Sequence, residues 1–98
     1  SGHLVCVCRN GREAVDFYKN NWKEIELVIL DMVMPLLNGA ETFRLLRDIN
    51  PEAKILLSSG YSITGEAQKL LDQGANGFIQ KPFTAKELAK SIAELFPI

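Results

Sequence analysis

Four strand-length apolar runs, LVCVC (4–8), LVILD (27–31), KILLSS (54–59) and GFIQK (77–81), alternate along the chain with segments whose apolar residues recur at helical spacing. That β-α alternation restricts the fold more than any other feature. Strands separated by helices return parallel to one another, and a parallel sheet must be covered by helices on both faces. LVILD fits such a sheet, being apolar up to its final residue. At 98 residues, 47% hydrophobic and 23% charged, the chain suits one soluble α/β domain over residues 1–98.

The helical segments carry their own boundary signals. Asn10 with Glu13 three residues later predicts a helix start, followed by an apolar face of Ala14, Val15, Phe17 and Tyr18 that reaches about Lys19, where NNW breaks the pattern. Ala40, Phe43, Leu46 and Ile49 mark a second helix, ended by Asn50-Pro51. Ala67, Leu70 and Leu71 mark a third, with Gly74 as its C-terminal cap. Thr84 to Glu87 forms a capping box that opens a last helix with Leu88, Ile92, Leu95 and Phe96 inward.

Composition removes several function classes. A net charge of −1 offers no electrostatic footprint for a polyanion, which argues against nucleic acid. No apolar run approaches the ~20 residues that cross a bilayer, and no basic-then-apolar leader opens the chain, so no membrane partner and a cytoplasmic setting are expected. Cys6 and Cys8, two apart on a strand, point to one face and bridge poorly; with His3 the one histidine, zinc has too few ligands. Reduced, buried thiols are the expectation.

In parallel sheets, ligands bind beyond the carboxyl ends of the strands. Here three of those ends carry Asp31, Ser58 or Ser59, and Lys81. Singly, each has a plain reading: Asp31 as a local cap, Lys81 as a surface pair. Together, a carboxylate, a hydroxyl and an ammonium can accept, hold and neutralise a phosphoryl group.

LVILDMVMPLLNG, LLSSGYS and GFIQKPF resemble the landmarks of the bacterial response-regulator receiver domain, CheY-like and flavodoxin-like in fold. The resemblance implies that Asp31 takes a phosphoryl group from the phosphohistidine of a histidine kinase or phosphotransfer protein. It makes Ser59 the switch hydroxyl, Lys81 the phosphoryl-contacting lysine, Lys81-Pro82 a cis peptide and Phe78 the switch aromatic. Asp31 and the Val33 backbone carbonyl would be Mg²⁺ ligands, and Asn38-Gly39 the turn after the phosphorylation loop. Such a module is a two-component switch, not an enzyme with a separate substrate, and LLSSGYS with GFIQKPF resembles receivers of hybrid histidine kinases.

One departure stands out. The family opens with a strand ending in two acids, whereas no Asp-Asp or Asp-Glu pair precedes Asp31, and the first acid, Glu13, lies in a helix. Mg²⁺ binding is therefore expected to be weak or absent. The pattern reads as an N-terminally truncated receiver of four βα units without its central first strand. LVCVC would then slide beside LVILD, two chains would complete each other's sheets, or LVCVC would pair elsewhere or fray; rearrangement with a homodimer, by strand exchange, is the favoured expectation. The alternative function is a receiver-like interaction module that works without phosphorylation.

Overall fold

The computed structural model describes residues 4–32, 39–60 and 65–96. Their order is β1 (Val5–Cys8), α1 (Gly11–Asn21), β2 (Leu27–Asp31), α2 (Gly39–Ile49), β3 (Ile55–Ser59), α3 (Gly65–Asp72), β4 (Gly77–Gln80) and α4 (Ala85–Leu95). The strands form one parallel sheet in the order β1-β2-β3-β4.

β1 lies directly against β2, with Val5 opposite Leu27 and Cys8 opposite Leu30. Of the three arrangements open to LVCVC, the chain adopts the direct βαβ pairing. This satisfies the backbone groups on the facing edges of both strands, which an open slot between them would have left without partners. Pairing extends one residue before β1, where Leu4 O accepts from Glu26 N at 2.9 Å.

Side chains leave the two faces of the sheet into separate cores. On one face Cys8, Val28, Leu30, Ile55 and Leu57 pack with α1 (Ala14, Val15, Tyr18), α2 (Phe43, Leu46) and α3 (Ala67, Leu70). On the other, Leu27, Ile29, Leu56 and Ile79 meet α4 through Leu88, Ile92 and Leu95. Leu27 to Leu30 are all buried, as the run of aliphatics demands.

The helix caps follow the sequence closely. Asn10 Oδ1 accepts from Arg12 N at 3.1 Å and Glu13 N at 3.3 Å. Thr84 and Glu87 exchange both bonds of the capping box. Gly74 adopts φ 111°, a left-handed conformation that lets Ala75 N return to Leu70 O at 2.9 Å and close α3.

Three details differ from the sequence reading. α1 continues past Lys19 because Asn20 and Asn21 donate back to Asp16 O and Phe17 O, at 3.0 and 2.8 Å, and so support the turn they were expected to break. Phe17 is 52% exposed: the inward stripe of α1 is the narrower set Ala14, Val15 and Tyr18. In α2, Ala40 is exposed and Thr42 is fully buried, because the face against the sheet is centred on Thr42, Phe43 and Leu46.

Candidate functional site

Asp31, the last residue of β2, sits in register with Ser58 of β3. The backbone continues that pairing, Met32 N donating to Ser58 O at 2.9 Å. From the far side, Lys81 N donates to Ser59 O at 2.7 Å, which fixes the lysine just past the end of β4. Its side chain turns inward and Lys81 Nζ donates to Asp31 Oδ2 in an ion pair. The Lys81–Pro82 peptide is cis.

The parallel register therefore unites residues fifty positions apart at one rim. A cavity of about 230 Å³ opens there, lined by Val7, Cys8, Arg9, Ile29, Asp31, Ser58, Lys81, Phe83 and Leu88. Its lining combines apolar side chains with the charged Arg9, Asp31 and Lys81. Asp31 is 20% exposed and Lys81 42%, so the carboxylate is sheltered while the ammonium stays in contact with water.

Of the two serines, Ser58 lines this cavity. Ser59 is the next residue, so its side chain leaves the opposite face of the strand, where it is buried at 3% exposure. Phe78 likewise projects to the α1–α3 face and packs half-buried against that core, outside the cavity. Val33 and Asn38 lie outside the described residues, while Gly39 opens α2. A Cβ on Gly39 would lie 3.2 Å from the Met32 thioether, so a glycine here lets Met32 fold over the start of α2.

Two cavity residues had no role in the sequence reading. Cys8 ends β1 and Arg9 follows it, and β1 reaches the site through its pairing with β2. Burial pushes the Cys8 thiol up to about 12, with smaller contributions from Cys6 and from the negative charge of Asp31. That last contribution places the end of β1 within electrostatic reach of the carboxylate. The proximity of Arg9 is a property of strand order, which no local motif announces.

Among the described residues no three His, Cys, Asp or Glu side chains gather to hold a metal. The cavity lining includes one carboxylate, Asp31, and two cationic side chains, Arg9 and Lys81. The remaining residues of the chain contain no Asp or Glu.

The chain matches the response regulator receiver domain model over residues 1–93. It belongs to that family. Among curated relatives, this receiver is 33% identical over 94 residues to the sensor kinase CckA of Brucella abortus, covering 96% of the chain and 10% of the kinase. It is 34% identical over 89 residues to two-component response regulator 24 of Arabidopsis thaliana, covering 91% of the chain and 63% of that protein. The chain thus spans less than two thirds of either relative. Among solved structures it superposes on a Borrelia burgdorferi CheX–CheY–BeF₃–Mg²⁺ complex with a TM-score of 0.84 and 27% identity, covering 91% of this chain and 66% of that one.

The receiver is accordingly a module of two-component signalling with a CheY-like, flavodoxin-like fold. Receiver domains are phosphoacceptor switches and generally bind Mg²⁺. No described helix is long and apolar enough to cross a membrane.

Proposed function

We propose that residues 1–98 form a cytoplasmic phosphoacceptor receiver, loaded on Asp31 by the phosphohistidine of a histidine kinase or phosphotransfer protein. The observation that carries this reading is the Asp31–Lys81 ion pair at the carboxyl edge of the sheet. A carboxylate oxygen is presented to the incoming phosphorus, and the lysine that neutralises the empty site is in place to neutralise the loaded one. Ser58 supplies a hydroxyl within the cavity, and Ser59 at the end of β3 is the switch hydroxyl that turns toward the phosphoryl group. Phe78 is the aromatic that follows that movement. Val33 lends its backbone carbonyl to whatever Mg²⁺ binds, weakly or not at all in this chain. Similarity to a sensor kinase over a tenth of its length supports a hybrid histidine kinase as the parent protein.

The test is intact mass after incubation with a small-molecule phosphodonor, beside Asp31→Asn. The expected result is a phosphoryl-sized gain in the parent chain and none in the variant. A gain retained by Asp31→Asn would remove this aspartate from the mechanism. No gain at all would favour the second reading, a phosphorylation-independent interaction module, which the poor metal set supports.

A further inference from the structure

We infer that Ser58, the in-register neighbour of Asp31, donates a hydrogen bond to the acyl oxygen of phosphorylated Asp31 and so shortens the lifetime of the phosphoryl group. The inference rests on the phosphoacceptor reading of Asp31 and adds to it a residue that sets how long the switch stays loaded. Asp31 and Ser58 stand opposite each other in the pairing of β2 with β3. Neighbouring strands run about 4.8 Å apart and in-register side chains leave the same face, so a serine hydroxyl there comes within hydrogen-bonding reach of a carboxylate oxygen. Both residues line the one cavity. Ser59, one step further on, leaves the opposite face of the strand.

The surroundings of Ser58 sharpen its role. It is 1% exposed, and Val7, Ile29, Phe83 and Leu88 supply apolar wall around it. A sheltered hydroxyl seeks a polar partner, and little water competes for the bond it makes. In the unphosphorylated form, Lys81 Nζ donates to Asp31 Oδ2. Phosphorylation on Oδ1 leaves Oδ2 as the acyl oxygen, and the new negative charge draws Lys81 to the phosphoryl oxygens. Ser58 is then a donor that remains beside Oδ2, on the strand next to Asp31.

The consequence lies in the hydrolysis step. A water oxygen bonds to phosphorus as the bond from phosphorus to Oδ1 breaks. The electron pair returns to Asp31, and the protons of the water leave with phosphate and solvent. Negative charge spreads over both Asp31 oxygens as that bond breaks, so a hydrogen bond to Oδ2 strengthens along the way. The Ser58 hydroxyl therefore stabilises the departing carboxylate more than the acyl phosphate, and phosphoryl loss is faster with it than without it.

The experiment loads the 98-residue chain with acetyl phosphate in Mg²⁺, removes the donor by desalting, and follows loss of the phosphoryl group by intact mass. The half-life should lengthen about three- to tenfold in Ser58→Ala, and in the same direction in Ser58→Cys, which keeps a similar shape but only a weak donor. Ser58→Thr, with its hydroxyl, should return the half-life toward that of the parent. A site merely loosened by substitution would shed its phosphoryl group faster, so the direction of the change separates this role from a structural one, and urea unfolding verifies that each variant is folded. An unchanged or shortened half-life in Ser58→Ala and Ser58→Cys, or a lengthened one that Ser58→Thr leaves in place, overturns this inference and keeps Asp31 as the acceptor. A parent chain that never loads overturns the phosphoacceptor reading and this inference with it.

Discussion

Cys8 ends β1 fully buried, beside Asp31 and one residue before the arginine of the cavity. Its thiol was legible in the sequence as a reduced core group; its closeness to an acid was not, because that depends on which strand β1 joins. Burial, the neighbouring Cys6 and Asp31 raise its pKa from an ordinary 9.0 to about 12. Since the folded value lies above the unfolded one, the stabilisation is complete below pH 9 and is lost as pH rises toward 12, where the unfolded chain releases the proton first. Urea unfolding above pH 9 should show this as a loss approaching 1.4 kcal/mol per pH unit, at most about that much for one group. Cys8→Ala should be less stable at neutral pH but lack that component of the slope. Asp31 and Lys81 could be read directly, since one ends β2, the other follows the last residue of β4, and their chemistry is complementary. Which of Ser58 and Ser59 lines the cavity could not, because one step along a strand reverses the face.

At the scale of elements, the amino ends of β3 and β4 are joined through a single side chain. Asn76 Oδ1 accepts from Ile55 N at 2.8 Å and from Arg47 Nη2 at 3.0 Å. Arg47 also donates to Ala53 O and Gly74 O, at 3.0 and 2.9 Å, which ties α2 to the loop that follows α3. Ile55 is fully buried, so its N–H has no access to water if the amide is removed. Asn76→Ala should therefore cost about 1–3 kcal/mol, measured as a shift in the urea midpoint with an unchanged slope. No short-range pattern distinguishes Asn76 or Arg47 from ordinary polar surface residues. The caps at Asn10 and Thr84 are different: each works over three residues, and each was visible before any tertiary contact was known.

Across the whole molecule, β1 lies at one edge of the described sheet and carries exposed apolar surface beside it. Leu4, Val7 and Phe17 are 50%, 53% and 52% exposed, and Val7 and Phe17 border one groove. An open edge strand with apolar flanks is a template for pairing with another chain. The expected outcome is concentration-dependent self-association in sedimentation velocity, weakened by Phe17→Glu, which leaves the Asp31 cavity untouched. A chain that sediments as a monomer at every concentration would refute it. The sequence by itself determined the β-α alternation, the parallel sheet, the helix caps and the meeting of Asp31 with Lys81, because each follows from local periodicity or from the shared direction of parallel strands. Only the tertiary structure decided that β1 pairs with β2, that Phe17 faces outward and that Arg9 and Asp31 line one cavity. Backbone hydrogen bonds join strands almost without regard to side chains, so the identity of a neighbouring strand is settled by which pairing leaves fewest groups unsatisfied across the whole chain.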